Sequence, residues 1–131
     1  KSDELERMAA NIASGMVEAG VKRIAYCASA GVEREIEGAP GKIIMWMLRH
    51  PLADHREAIE RLEAAELDIT VARPMSLTDD SFTSDYDEAF GGVPVGGHEV
   101  PRASVAHFLV KAIDDPDTYV GTSVGLALPK R

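Results

Sequence analysis

The chain has 131 residues, of which 45% are hydrophobic, and it carries a formal net charge of −8 at pH 7. Its length suits one domain with a core of its own, and no stretch approaches the ~20 apolar residues of a membrane-spanning helix. Because an acidic chain without a basic cluster is a poor partner for phosphates, we expect a globular protein that contacts neither nucleic acid nor membrane.

The first half of the chain alternates between helical and extended patterns. Positions 5, 8, 9, 12, 16 and 17 are apolar at spacings of three and four, which predicts a helix that stops at Gly20. The segment 21–29, "VKRIAYCAS", predicts a buried strand. Residues 42–50, "KIIMWMLRH", predict a short apolar helix ended by Pro51. A second helix is expected over 54–66, with Asp54 as its N-cap.

The second half repeats this alternation. "LDITVAR" at 67–73 predicts a strand closed by Pro74, and the acidic segment 78–88 within a long irregular region predicts a solvated loop. A helix is expected over 102–114, followed by a last strand in "TYVGTSVGLAL" at 118–128. The order helix–strand, three times over, predicts a parallel sheet with helical crossovers, so residues 1–131 are expected to form a single α/β unit.

The ends of the first two strands are unusual for their small or turn-forming residues. The first ends in Ala28, Ser29, Ala30 and Gly31, and the second in Pro74, Met75, Ser76 and Leu77. In an open parallel sheet, ligands bind outside the carboxyl ends of the strands. The small residues would let a planar ring approach the backbone, and the main chain after Pro74 would offer hydrogen-bonding groups to an amide. A tight turn and a strand stop remain the alternative explanation.

Three segments together resemble a known family. "AGVKRIAYCASAGV", "DHREAIERLEAAELDITVARPMSLTD" and "VPRASVAHFLVKAIDDPDTYVGTSVGLA" are similar to the latter half of atypical short-chain dehydrogenases/reductases. The most similar subgroup is the NAD(P)H-binding one that includes NmrA-like proteins and the biliverdin-IXβ/flavin reductases. The resemblance implies a Rossmann-type fold, oxidoreductase activity and NADP or NAD as cofactor.

The same resemblance implies roles for individual residues. Ser29 matches the serine beside the nicotinamide and the substrate, and Ala30 belongs to the same cofactor-binding edge. His55, from an Asp-His pair, would lie near the cofactor or the pocket mouth, so Ser29 and His55 are the candidate catalytic residues; a plain surface histidine is the alternative. The segment that would contact the carboxamide through main-chain atoms is Pro74, Met75, Ser76 and Leu77. No metal is expected, since no Cys/His set has zinc spacing.

Two family features are missing from the sequence. No G-x-G-x-x-G phosphate loop occurs, so we expect the chain to be the carboxyl-terminal portion of a longer protein, completed by an amino-terminal segment or a second subunit. Tyr26, Tyr86 and Tyr119 all lack a lysine four residues later. Without that proton donor, the expected substrate is a planar acceptor that needs little enzymatic acid, such as a flavin, quinone or tetrapyrrole. A non-catalytic NAD(P)-binding redox sensor is the alternative.

Three further interpretations concern packing. Cys27 is the only cysteine, which favours a reducing, cytoplasmic compartment, and its place inside a strand predicts an inert packing residue. Trp46 and its neighbouring methionines, Met45 and Met47, are expected to be core rather than ligand pocket. Arg73, beside Pro74, is expected to hold a loop by a salt bridge.

Overall fold

The computed structural model describes residues 2–31 and 38–130. No helix in these two ranges is long and apolar enough to cross a membrane. The elements, in chain order, are α1 (Glu4–Ala19), β1 (Arg23–Cys27), α2 (Gly38–Met47), α3 (Arg49–Ala64), β2 (Asp68–Pro74), β3 (Ser76–Thr78), β4 (Asp87–Ala89), β5 (Glu99–Pro101), α4 (Arg102–Asp114), α5 (Pro116–Tyr119) and β6 (Thr122–Ala127).

The main sheet has four strands in the order β1-β2-β6-β4. β2 pairs in parallel with β1 on one side and with β6 on the other, whereas the edge strand β4 runs antiparallel to β6. The predicted parallel sheet is therefore confirmed. β3 and β5 form a separate parallel pair, so the region expected to be irregular contains three short strands.

Helices cover both faces of the sheet, and a hydrophobic cluster fills each side. On one face α1 and α3 pack against each other and against β2. The buried apolar residues of this layer include Ala9, Ala13, Leu52, Ala58, Leu62, Ile69 and Val71. On the other face α4 supplies Val105, Phe108 and Ala112, which pack with Ala72, Val124 and Leu126 of the sheet. β2 is buried from Ile69 to Pro74 because it has a strand on each side and a helix on each face.

The boundaries of the two central helices differ from the prediction. α2 ends at Met47, and α3 begins at Arg49, so Pro51 lies in the first turn of α3 instead of ending a helix. A proline is tolerated there because the first N–H groups of a helix have no intrahelical acceptor. Asp54 is therefore inside α3 and is not its N-cap; its carboxylate accepts the Ser2 N–H at 3.3 Å.

Three packing predictions are wrong in detail. Trp46 and Met47 are 65% and 67% exposed, so they do not form core, and the Arg49 guanidinium lies 4.3 Å from the Trp46 ring centroid. Cys27 is exposed because it is the last residue of β1, at the edge of the sheet. In α1, only part of the predicted apolar face is buried: Ala9 packs in the core, whereas Met8, Ile12 and Val17 of the same face are exposed.

Arg73 is fully buried at the centre of the sheet. Its Nε donates to Ser123 Oγ at 2.8 Å, and one terminal nitrogen donates to the Gly92 carbonyl at 2.7 Å. The other terminal nitrogen donates to the Ser123 carbonyl at 3.1 Å. Arg73 thus holds the loop after β4 against β2 and β6, directly before the candidate site residue Pro74.

A polar cluster fixes the edge strand β4 to the helices. The Glu88 carboxylate accepts the Tyr119 hydroxyl at 2.6 Å, and its second oxygen forms an ion pair with Lys111. Burial, reinforced by the bond to Glu88, raises the pKa of Tyr119 to about 12. Glu88 belongs to the segment 78–88 predicted to be a solvated loop, and Tyr86 of that segment is also buried, so the prediction is wrong for its last residues.

Replacing Arg73 with lysine is expected to lower the free energy of unfolding by about 2–4 kcal/mol, because a single ammonium cannot reproduce the fork of donors. The matched control is Arg102→Lys, at an exposed ion pair with Asp79, where a change within about 0.5 kcal/mol is expected. Urea unfolding of both variants measures the difference. Equal losses at the two positions would contradict this role for Arg73.

The Tyr119 bond predicts a pH dependence. Since the folded pKa of about 12 exceeds the ordinary value of 10.0, the contribution is complete below pH 10 and is lost as the pH rises to 12. The wild type should lose roughly 1–3 kcal/mol more than Tyr119→Phe across that window. Urea unfolding at each pH, with phenolate absorbance followed in parallel, checks this, and parallel curves for the two proteins would refute it.

Candidate functional site

The ends of β1 and β2 lie side by side. The Ala28 N–H donates to the Ala72 carbonyl at 2.8 Å, and the Ala30 N–H donates to the Pro74 carbonyl at 2.9 Å. The parallel ladder therefore continues beyond Cys27, and the same register sets Ser29 opposite Pro74. The structure brings together the two strand ends that the sequence analysis singled out.

The side chains at these strand ends are small. Ala30 and Pro74 are buried, Ser29 is half-buried, and the Ser29 hydroxyl makes a short-range bond to the Ala30 carbonyl at 3.2 Å. Gly31 has a φ of 95°, a left-handed conformation that disfavours any residue with a side chain. The turn after β1 is thus built from residues that add little volume above the strand end.

The main-chain groups after Pro74 are not equally open to a ligand. The Met75 N–H donates to the Leu126 carbonyl at 2.9 Å, and the Ser76 N–H donates to the His98 carbonyl at 3.2 Å. Because successive N–H groups of a strand point to opposite edges, the N–H of Leu77 points away from β5. For an amide-bearing ring at these strand ends, the main chain of Leu77 is therefore a better hydrogen-bond partner than the N–H groups of Met75 and Ser76, which are already bonded.

His55 lies in α3, on the face of the sheet that carries Tyr26. Its Nδ1 is 2.9 Å from the Tyr26 hydroxyl, and the two rings meet edge-on, with centroids 5.8 Å apart. Burial lowers the pKa of His55, an effect that Asp54 opposes, and burial together with Cys27 raises the pKa of Tyr26. Both groups are therefore neutral near pH 7.

Tyr26, which contacts the candidate residue His55, is a residue that the sequence analysis did not single out. It was considered only as a tyrosine without a following lysine, yet it precedes Ser29 by three residues. One signal was available: alternation along β1 puts Tyr26 on the same face as Ile24, under the predicted helix that carries His55. That signal identifies the face but not the partner, because the rotation of the helix must also be known.

A cavity of about 860 Å³ opens at the same edge of the sheet. Its walls come from the loops at 80–85 and 96–99 and from residues 128–130, which follow the carboxyl end of β6. The bond between the Ser76 N–H and the His98 carbonyl joins one wall to the segment after Pro74. We call this space the edge cavity. It is lined by Asp80, Asp85 and Glu99, together with His98 and Lys130.

A second cavity, of about 680 Å³, lies between α3 and the first residues of β2 and β6. This places it towards the amino ends of the strands, where ligands of open parallel sheets do not bind. The edge cavity is therefore the better candidate for a small-molecule site.

Across residues 2–31 and 38–130, no three His, Cys, Asp or Glu side chains are grouped to hold a metal ion.

Comparisons with solved structures identify the fold. A Rossmann-fold NAD(P)-binding family protein from Shigella flexneri is 29% identical, with a TM-score of 0.71, over 98% of this chain and 57% of its own. A short-chain dehydrogenase/reductase from Veillonella parvula in complex with NADP is 21% identical, with a TM-score of 0.80 and coverages of 98% and 60%. ChuY, an anaerobilin reductase from Escherichia coli O157:H7, is 18% identical, with a TM-score of 0.81 and coverages of 99% and 61%.

The chain thus has a Rossmann-type fold and spans less than two thirds of the structures that it matches. No curated protein matches it. A family model described as NAD(P)H-binding matches residues 1–116, which include both strand ends and His55. The chain belongs to this NAD(P)H-binding family.

Proposed function

We propose that the protein is an NAD(P)H-dependent oxidoreductase that transfers hydride to a planar acceptor. The observation that carries the proposal is the hydrogen bond from Ala30 to the Pro74 carbonyl, in a chain of the NAD(P)H-binding family. This bond holds together two strand ends that are built from small or turn-forming residues. A nicotinamide ring suits that position, since ligands of this fold class sit outside the carboxyl ends of the strands.

In this proposal Ser29 and Ala30 form the floor beneath the nicotinamide, beside Pro74, and Leu77 bonds the carboxamide through its main chain. The cofactor supplies the hydride, and the protein supplies position and exclusion of water. NADP is the first cofactor to test, because the Veillonella relative is in complex with it. NAD is the second.

The acceptor is assigned to the edge cavity; His55 does not line this cavity and is kept as a candidate catalytic residue on the α3 side of β1. Reduction adds the hydride and one proton to the acceptor, and NAD(P)H becomes NAD(P)⁺. Because no tyrosine is followed by the usual lysine, an acceptor that takes its proton easily is favoured: a flavin, a quinone or a linear tetrapyrrole. The anaerobilin reductase among the similar structures supports including a tetrapyrrole.

The pyrophosphate needs partners that these 131 residues lack, since the sequence contains no G-x-G-x-x-G. We assign that role to an amino-terminal segment or to a second subunit. β1 lies at the edge of the main sheet, so a further strand can pair with it there. A cytoplasmic location is proposed with it, because the only cysteine is unpaired.

A redox-sensing binding protein is the second candidate, favoured by the missing Tyr-x-x-x-Lys pair. The deciding experiment measures NADPH and NADH oxidation by the protein at its natural length, with a flavin, a quinone and a linear tetrapyrrole as acceptors. Turnover supports the enzyme. Cofactor binding in calorimetry without turnover of any acceptor, and with a protein partner captured in only one redox state, rejects the enzyme in favour of the sensor.

Replacing Ser29 with leucine should weaken NADPH binding at least about tenfold, because a branched side chain beside Pro74 occupies the space above the strand end. The matched control is Ser14→Leu on the exposed side of α1, which should leave affinity unchanged. Calorimetric titration measures both, and thermal melting shows that both variants are folded. Wild-type affinity in a folded Ser29→Leu protein would remove Ser29 from the cofactor site.

A further inference from the structure

One wall of the edge cavity is formed by the segment that follows β3. Asp80, Ser81, Thr83 and Asp85 line the cavity, and these four residues lie outside the helices and strands. A segment of this kind is not held by a ladder of main-chain bonds, so its position depends on other partners for its N–H and C=O groups. We call residues 79–86 the wall segment.

Ser104 of α4 binds the wall segment at its middle. The Ser104 side chain is fully buried, and its hydroxyl bonds both main-chain groups of Thr83. The Thr83 N–H donates to Ser104 Oγ at 3.2 Å, and Ser104 Oγ donates to the Thr83 carbonyl at 2.8 Å. The Thr83 hydroxyl in turn accepts the Asp85 N–H at 3.0 Å, so the arrangement extends to a second residue that lines the cavity.

Two further contacts with α4 lie at the ends of the wall segment. Near its beginning, the Arg102 guanidinium forms an exposed ion pair with Asp79, with 2.6 Å between the nitrogen and the oxygen. At its end, the Tyr86 hydroxyl lies 2.8 Å from His107 Nδ1. Exposed ion pairs contribute little to stability. The contact of Ser104 is different, because a buried hydroxyl there bonds the main chain of the cavity wall itself.

We propose that Ser104 is a positioning residue that fixes the cavity wall at Thr83 and Asp85 and thereby determines how tightly the edge cavity binds its acceptor. The functional half of this inference rests on the proposed assignment of the acceptor to that cavity. Ser104 does not line the cavity, so it acts through Thr83. A wall that is already ordered need not be ordered when the acceptor binds, and this saving in entropy raises affinity.

The first experiment measures amide hydrogen exchange by NMR in the protein at its natural length. In the wild type, the Thr83 amide should exchange at least about tenfold more slowly than in an unstructured peptide, because its hydrogen is bonded to a buried hydroxyl. Ser104→Ala, which removes only that hydroxyl, should raise the Thr83 rate at least about tenfold. An unprotected Thr83 amide in the wild type would overturn the inference, whether or not the variant folds.

The matched control is Ile69→Val, which removes one buried carbon on the opposite face of the sheet and costs a comparable amount of stability. Thermal melting compares the destabilisation of the two variants and shows that both are folded. Ile69→Val should leave the Thr83 rate unchanged. Equal acceleration of Thr83 exchange in both variants would indicate a general loss of stability and would exclude a specific role for Ser104.

The second experiment measures the kinetics of NADPH oxidation with riboflavin, menadione and biliverdin as acceptors. Ser104→Ala should raise the KM of the acceptor about three- to tenfold and change kcat by less than about twofold, because a wall contact serves the bound acceptor before and during hydride transfer alike. Ile69→Val should change neither constant. The affinity for NADPH should be the same in both variants, since the wall segment contains none of the residues assigned to the cofactor.

Two kinetic results would reject the role in acceptor binding. One is an unchanged acceptor KM in a Ser104→Ala protein whose Thr83 amide exchanges faster, and the other is a lower kcat with an unchanged KM. If the wild type reduces no acceptor, the proposed function fails, whereas the exchange rates still decide whether Ser104 fixes the wall segment.

Discussion

The parallel ladder between β1 and β2 is the constraint on which the site depends. Its last bond, from the Ala30 N–H to the Pro74 carbonyl, lies beyond the end of β1 and fixes the turn after β1 to the last residue of β2. Pro74 has no N–H of its own, so its carbonyl is its only main-chain contribution to the ladder. The chain can therefore leave the sheet at Pro74 and still remain fixed to β1, which gives Ser29 and Leu77 defined positions on a rigid edge.

The buried guanidinium of Arg73 holds these strand ends in place from inside the protein. Arg73 contacts β6 through Ser123 and the loop after β4 through Gly92, so three segments meet under Pro74. A buried guanidinium stabilises such an arrangement only when its donors are satisfied, because an unpaired buried charge is strongly unfavourable. The consequence is local rigidity: Pro74 cannot shift without breaking contacts that Arg73 makes at a distance from the site. A planar ligand needs that rigidity, since its contacts come from main-chain atoms rather than from adaptable side chains.

Features that depend on neighbouring residues could be predicted from the sequence, whereas features that depend on how distant elements pack could not. The ends of β1 and β2 were predictable because a run of small residues and a proline are local signals, and the parallel order followed from the alternation of elements. The prediction at Pro51 was wrong because a proline can either follow the end of a helix or lie in its first turn. The prediction that Trp46 is core was wrong because apolar character alone does not show which side of α2 is buried. The bond between Tyr26 and His55 depends on how α3 is rotated over the sheet, which no local pattern determines.

The negative charge of the chain is compatible with a site for the nicotinamide half of NAD(P)H, which is the half that we assign to this chain. The phosphates of the cofactor are anionic and need a glycine loop at a helix amino terminus, and the sequence contains no G-x-G-x-x-G. The nicotinamide is neutral when reduced and gains positive charge as hydride leaves, so nearby carboxylates favour the oxidised ring, whereas carboxylates at the edge cavity disfavour negative charge on the acceptor. Asp80, Asp85 and Glu99 are exposed, so solvent ions screen their charges beyond about 10 Å. Selectivity among acceptors must accordingly come from the shape of the cavity and from the hydrogen-bonding groups that its loops hold in place.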